Sequence, residues 1–368
     1  MMCRCLSRAM KNPHYDPSKP HHRPDGFQNN YERFHGKRLH ELLRWRWQAW
    51  RGGLPRPVSA PIPVVQPDLD AIYTNARAGL AMAPTAVWIG HITVLLQVGG
   101  LNILTDPVFS SRCSPVQWAG PKRQTPPGLR LDQLPHIDVV LLSHNHYDHM
   151  DEASIKALAR QSGGQPLFIT PLAHRKWLSR WGVHKHVELD WWDRHVIEAT
   201  ERNPRIPVVL TPARHWSSRT ATDALRSLWG GFVVLSPDAH VFFAGDTAYS
   251  KDFADIRQRF AREHLTDNGG GFDLALLPIG AYEPRWFMKD QHCNPEEAVQ
   301  IFQDIGAKRA LGVHWGCFQL TDEPLDEPPR ALAVAREHAG LQPDQFDVLP
   351  VGGTMRWPRR PQPGHAPA

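Results

Sequence analysis

Short apolar runs alternate with polar clusters along this chain, and several of the runs end just before a histidine or an aspartate. From residue 86 the runs come in quick succession. Val87-Trp-Ile-Gly-His91, Thr93-Val-Leu-Leu-Gln-Val98 and Leu101-Asn-Ile-Leu-Thr105 are separated by polar or Gly-Gly turns and predict a β-meander. Ile137 to Leu142, Leu167 to Thr170, Val187 to Asp190, Ile206 to Thr211, Gly231 to Leu235, His240 to Ala244, Asp273 to Ile279 and Arg309 to Val313 continue the series as strands. Helical spacing appears between them. Glu152 to Arg160 follows Asp151 as N-cap, and Lys251 to Arg262, the stretch opened by Pro295, Glu296 and Glu297, and Glu327 to Ala339 are further helices. Elements mixed in this way predict two packed sheets flanked by helices, an α+β arrangement.

Residues 1–75 differ in character, being rich in Pro, His and Arg with little to build a core. They predict an arm that wraps the body or stays disordered. Within it, Arg38 to Arg51 carries Leu39, Leu42, Leu43, Trp47 and Trp50 at helical spacing, opposite Arg38, Arg44 and Arg51. Such a basic amphipathic helix either packs on its own domain, the usual outcome, or lies in a bilayer interface. Pro55 to Pro67 reads as a linker, the main body is expected over 76–357, and a loose Pro-rich tail over 358–368.

A chain of 368 residues is long enough for one sizeable core. Its charge is modest: Lys plus Arg is 42 against 37 Asp plus Glu, +5 with His neutral. That suits an acidic substrate or an anionic membrane surface and is too small an excess to indicate nucleic acid. Met1 to Met10 holds no apolar stretch of signal-peptide length and no segment is long enough to span a membrane, so a cytoplasmic protein is expected, with peripheral membrane contact left open. Cys3, Cys5, Cys113, Cys293 and Cys317 are odd in number and lack metal-type spacing, which fits a reducing compartment. Cys293 and Cys317 are expected as apolar filler.

The chemistry concentrates in Ser143-His-Asn-His-Tyr-Asp-His149, directly after a buried-strand pattern. Alternate side chains of an extended segment point the same way, so His144, His146 and Asp148 share one side while His149 points elsewhere, and one loop can serve two metals. His215, Asp246 and His314 each follow another apolar run. Imidazole and carboxylate are donors that zinc accepts. A polar turn among scattered histidines is the bland alternative in a chain with 21 of them, and the ordered delivery from four strand ends argues against it.

The ordered set HxHxDH, His, Asp, His resembles the metallo-β-lactamase-fold hydrolases. Leu142-Ser-His-Asn-His-Tyr-Asp-His-Met-Asp151, Glu188-Leu-Asp-Trp-Trp192, Phe242-Phe-Ala-Gly-Asp246 and Pro278-Ile-Gly-Ala-Tyr-Glu-Pro-Arg-Trp-Phe-Met288 are similar to the N-acylphosphatidylethanolamine-hydrolysing phospholipases D and their bacterial relatives. The resemblance implies an αββα sandwich and two Zn2+ per chain. By resemblance His144, His146 and His215 hold one ion, Asp148, His149 and His314 the other, and Asp246 bridges them. It further implies catalytic roles for Asp148 and for His292 as a donor to phosphate, substrate contacts from Tyr147, Gln291 and His292, and His91 bracing the ligands from behind. Hydrolysis of the phosphodiester through a metal-bridging hydroxide would give phosphatidic acid and an N-acylethanolamine.

Asp106-Pro107 reads as a turn, and Tyr282, Trp286, Phe287 and Met288 are candidate groove walls. The expected partner is a phospholipid, with a second copy of the chain as a candidate and no nucleic acid. Ala248 and Cys293 depart from the family pattern without removing a ligand, Leu349-Pro-Val-Gly-Gly353 replaces a His-containing family string, so that a contact behind the ligands is lost or supplied by the backbone, and Ser218 and Thr222 stand where the mammalian lipase has a longer basic and an apolar side chain. Two other functions remain open at this point. One is hydrolysis of a different ester, lactone or phosphodiester on the same scaffold; the other is a non-catalytic membrane-binding protein with a vestigial site.

Overall fold

A computed structural model of the protein describes residues 11–34, 36–265 and 270–360; the Met1 to Met10 segment and residues 361–368 of the expected loose tail lie outside them. Two short strands, β1 (His22–Arg23) and β2 (Gly26–Phe27), form a hairpin in the arm. Helices α1 (Leu39–Gly52) and α2 (Leu69–Arg77) follow. The first large sheet is built from β3 (Thr85–Gly90), β4 (Thr93–Val98), β5 (Leu101–Thr105), β6 (Val139–Leu141), β7 (Leu167–Pro171) and β8 (His186–Leu189), with α3 (Glu152–Leu158) and α4 (Arg175–Arg180) in the connections. The second is built from β9 (Arg194–Ile197), β10 (Ile206–Thr211), β11 (Gly231–Ser236), β12 (Ala239–Phe243), β13 (Leu274–Pro278), β14 (Ala310–Val313) and β15 (Phe346–Asp347), interleaved with α5 (Asp252–Arg259), α6 (Arg285–Met288), α7 (Pro295–Ile305) and α8 (Glu327–His338). Strand β16 (Thr354–Arg356) returns to pair with β3 and closes the first sheet.

Each sheet has seven strands, in the orders β16-β3-β4-β5-β6-β7-β8 and β15-β14-β13-β12-β11-β10-β9. In both, an antiparallel meander passes into a parallel ladder. That change sets where the chemistry lies. Strands β5 and β6 run parallel, as do β12, β13 and β14, and two antiparallel steps bring β10 back into the direction of β12. The loops leaving β10, β12 and β14 therefore leave one edge of their sheet.

Side chains sort between layers with the period of two that a strand imposes. Ala86, Trp88, Val94, Leu96, Ile103, Val139 and Leu141 face the second sheet, whereas Val87, Ile89, Leu95, Leu104 and Val140 join Ile72, Ile155, Leu158 and Leu178 under α2, α3 and α4. The central strands are buried on both faces and hence read as unbroken apolar runs. Helix ends follow local chemistry. Asn294 accepts from Glu297 N at 2.9 Å while Glu297 returns a bond to Asn294 N, Pro295 occupies the first turn, and Gly306 ends α7 at φ 67°.

Three expectations need correction. The apolar stripe read along α1 does not pack inward: Leu39, Leu43, Trp47 and Trp50 are 71, 61, 53 and 77% exposed. Trp45 and Ala49 are buried instead, against Phe287 and Met288, with Trp45 Nε1 donating to Asp322 at 2.8 Å. Two apolar faces compete on this helix, and the aromatic partner available on α6 selects the narrower. The tail is not loose at its start. Arg360 is 5% exposed and pairs with Asp273 at 2.7 Å. The Pro55 to Pro67 stretch is no free linker, because Val64 bridges to Val351 and Ser59 is held by Asp326. Among the described residues no helix is long and apolar enough to cross a membrane.

One anchor of the arm is a buried carboxylate. Asp190 accepts from Lys19 Nζ at 2.5 Å, His21 Nε2 at 2.7 Å and His22 Nε2 at 2.8 Å, as well as from Trp191 N at 2.8 Å. Burial alone would raise this carboxyl, but the bonds from His21 and Lys19 outweigh it and hold it below the usual range. Stability from a depressed carboxylate is present above its unfolded pKa and lost as pH falls through the folded one, so this contact yields only to strong acid. Phe27, fully buried in the core, adds about 1.5–3 kcal/mol. We expect Asp190→Ala to leave the His21 and His22 N–H groups without an acceptor, at about 1–3 kcal/mol per buried group. Melting temperature should fall and chymotryptic cleavage after the buried Phe27 should accelerate; an unchanged cleavage rate would show that Phe27 holds the arm by itself.

Candidate metal centre

The loop leaving β6 carries His144, His146, Asp148 and His149, and faces His215 beyond β10, Asp246 beyond β12 and His314 beyond β14. His146 Nδ1 lies 2.8 Å from His144 Nε2 and 3.3 Å from His215 Nε2. In a second group His149 Nε2 is 3.2 Å from His314 Nε2, and Asp148 Oδ2 is 3.3 Å from His314 Nε2. Asp246 stands between the groups. Its Oδ2 is 3.0 Å from His149 Nε2 and 3.8 Å from His215 Nε2, and its Oδ1 is 3.3 Å from His314 Nε2. All seven side chains that the sequence pattern singled out as metal donors thus meet in one place.

The hydrogen bonds at the far side of each ring decide which atom faces the centre. His215 Nδ1 donates to Gln291 O at 2.8 Å, which leaves the Nε2 lone pair pointing inward. His149 Nδ1 donates to Asp106 Oδ2 at 2.7 Å, which aims its Nε2 at the centre. Ser143 Oγ gives its proton to Asp106 Oδ2 at 2.5 Å and so accepts from His144 Nδ1 at 2.9 Å, again turning Nε2 inward. His146 offers Nδ1. Imidazole lone pairs aimed at one another within about 3 Å repel unless a cation lies between them, and Asp246 Oδ1 is buried with no hydrogen bond. The donor set therefore fits metal ions of the borderline class that accept nitrogen and oxygen together.

Electrostatics agrees. Burial, and then neighbouring imidazoles, pushes His144 well below its ordinary pKa, and burial brings His146 down to about 3 and His215 to about 4. Burial would raise Asp246, but His149, His314 and His292 hold it well below the usual carboxylate range. Burial likewise opposes a charged His149, yet Asp246, Asp148 and Asp106 raise it well above the ordinary value. The carboxylates draw positive charge to this point.

A cavity of about 480 Å³ opens over the donors, walled by Tyr147, Trp216, Arg219, Met288, His292 and Leu320 among others. Tyr147 is tied down through its hydroxyl, which donates to Arg219 O at 2.9 Å, and its ring lies under the Arg219 guanidinium. His292 lines the cavity with Nδ1 3.8 Å from Asp246 Oδ2. Gln291 also lines it, but its amide turns to Met288 Sδ and its backbone carbonyl orients His215. Of the four expected groove walls only Met288 reaches the cavity. Tyr282 is buried with its hydroxyl on Glu327, Phe287 packs on Trp45, and Trp286 faces outward under Arg44.

Two bracing groups lie behind the donors. His91, between β3 and β4, places Nε2 3.2 Å from Asp148 Oδ2. Asp106 is more than the turn its Pro neighbour suggested. It is fully buried and binds both His149 and Ser143, and its place at the end of β5 is the signal that could have found it.

Comparison with known proteins matches this geometry. Residues 101–315 fit the family described as a beta-lactamase superfamily domain. An N-acyl-phosphatidylethanolamine-hydrolyzing phospholipase D of Caenorhabditis elegans is 37% identical over 276 residues, 73% of this chain and 74% of that one. The mitochondrial protein of that description from Saccharomyces cerevisiae is 32% identical over 351 residues, 86% of this chain and 72% of that one. Among solved structures, a possible metal-dependent hydrolase from Veillonella parvula superposes with a TM-score of 0.58 at 14% identity, covering 75% of this chain and all of that one, which bears on the fold alone. With its two mixed sheets, its converging donors and these relatives, the chain belongs to the metallo-β-lactamase-fold hydrolases, in the family of the N-acylphosphatidylethanolamine-hydrolysing phospholipases D.

Proposed function

We propose that this metal-dependent hydrolase is a zinc phospholipase D that cleaves N-acylphosphatidylethanolamine to phosphatidic acid and N-acylethanolamine. The observation that carries the proposal is the pair of donor groups sharing Asp246 at the floor of a cavity whose walls are partly apolar. His144, His146 and His215 would hold one zinc, and Asp148, His149 and His314 the other, with Asp246 common to both. When bound, two zinc ions supply a water that ionises near neutral pH and neutralise charge on a phosphoryl oxygen.

The chain's own groups do the rest. Asp148, held ionised against burial by His149 and His314, faces the cavity, orients the attacking water and takes its proton. His292 stays neutral because burial pushes its pKa well down, so it offers one N–H to a non-bridging phosphoryl oxygen. Tyr147 and Gln291 form the wall that holds the phosphate region in place. Pro115, Pro121, Trp216, Met288 and Leu320 give the acyl chains an apolar wall. Water adds its hydroxyl to phosphorus, the bond to the ethanolamine oxygen breaks, and the leaving oxygen takes up a proton.

A lipid substrate requires access to a membrane, and α1 offers the surface. Leu39, Leu43, Trp47 and Trp50 are exposed, interleaved with Arg44, Arg46 and Arg51, a composition that suits an anionic headgroup layer. The same helix is fastened to the active-site wall, since Trp45 packs on Phe287 and Met288. We place the protein peripherally on such a surface, with no nucleic-acid partner; a second copy covering the same face is the competing occupant.

The decisive experiment measures zinc content together with turnover of N-acylphosphatidylethanolamine and of a soluble phosphodiester. About two zinc ions per chain and a clear preference for the lipid are expected; turnover of the soluble diester alone would refute the substrate assignment. His146→Ala should lower lipid turnover by at least about 100-fold and reduce bound zinc, since losing a ligand outweighs losing a group behind one. His292→Ala should lower kcat by about 100-fold with zinc content intact. For the surface, the double variant Trp47→Ala, Trp50→Ala should lose sedimentation with vesicles containing anionic phospholipid while keeping turnover of detergent-dispersed substrate. Vesicle binding that persists, or a loss of dimer in solution instead, would remove α1 as the membrane face.

A further inference from the structure

The arm over residues 11–34 reaches the metal centre, and it does so at three consecutive positions. Glu32 pairs with Arg214, Asn29 Oδ1 accepts from His215 N at 3.2 Å, and Phe34 stacks on Trp216 at 5.1 Å with planes 16° apart. His215 is the middle member. Strand β10 stops at Thr211, so the backbone that carries His215 has left the ladder and needs other fixings. Its ring is fixed by Gln291 O and its backbone N–H by Asn29. Asn29 is 4% exposed, and the same oxygen accepts from Trp229 Nε1 at 3.0 Å, which ties the turn to the core. Trp216 in turn meets the edge of His146 at 4.7 Å. Two of the three donors in this group are thus braced from the arm.

The Asp190 contact is one anchor of the arm, and it is a clamp rather than another metal site. His22 Nδ1 accepts from Asp16 N at 3.1 Å, so Nε2 carries the proton and donates to Asp190. A protonated ring nitrogen cannot ligate a metal. The Lys19 ammonium already occupies the position a cation would take beside Asp190 Oδ2. This also assigns a role to Glu188-Leu-Asp-Trp-Trp192, a string that the active site leaves unused: its aspartate anchors the arm, and Trp191 stacks on His21 at 4.4 Å.

We propose that the arm is part of the metal centre, with Asn29 as a positioning residue for His215 and Phe34 as one for Trp216 and, through it, His146. The proposal rests on His215 and His146 being zinc ligands. The test uses the full chain loaded with zinc, challenged with increasing chelator, and the melting temperature of each metal-free form. Asn29→Ala should release zinc to about 10–100-fold less chelator than the parent, as loss of a group behind a ligand does. Asn29→Asp keeps an acceptor in the same place and should hold zinc nearly as the parent does. A merely structural Asn29 would lower the metal-free melting temperature of Asn29→Ala and leave zinc retention alone, and that result overturns the proposal, as does equal loss from the Asp variant. Should Asn29→Ala fail to fold, Phe34→Ala, at the half-buried end of the arm, decides: weaker retention supports the proposal and unchanged retention overturns it. A parent chain that binds no zinc tightly would overturn the metal assignment itself, a result distinct from tight binding that ignores the arm.

Discussion

Asp246 is buried and Asp148 half-buried at the cavity, both with imidazoles for partners, and neither pairs with a lysine or an arginine among the described residues. A buried carboxylate is unfavourable unless positive charge is brought to it. Here Ser143 and Gln291 turn His144 and His215 so that they present lone pairs, and Asp106 aims His149 Nε2 at the same point. The interior is therefore built to be completed by cations, and the rest of the architecture serves that condition. Strands had to end at a common edge to bring seven donors together, and both sheets had to be covered on both faces to keep water from screening them.

Much of this could be read from residue order because strand ends and ligands coincide. The apolar run before His144 and the runs before His215, Asp246 and His314 mark both an element and a donor. Asp106 obeys the same rule at the end of β5, but a following proline is such a strong turn signal that the position looked structural. The face of α1 could not be read because its sequence supports two stripes, and the choice between them belongs to Phe287 and Met288, more than two hundred residues away. Asn29 gave no local signal at all. A single asparagine in a polar arm acquires meaning only when His215 and Trp229 are folded around it.

The substrate is written less clearly than the chemistry, for a physical reason. Donor geometry serves any reaction that gains from bound metal and an activated water, and this fold is shared by hydrolases of many kinds. Selectivity sits in the cavity wall, where Met288, Trp216 and Leu320 come from unrelated segments and follow no periodic pattern.

The reach of the arm bears on the order of events during synthesis. Residues 11–34 precede all of their contacts here, Asp190, Arg214, His215, Trp216 and Trp229, and the last of the candidate donors is His314. This segment is made before the groups it docks on, and its polar, proline-containing composition keeps it soluble until they follow. If these donors hold the metal as proposed, its uptake is a late step, since few incomplete chains could hold what only distant segments together can grip.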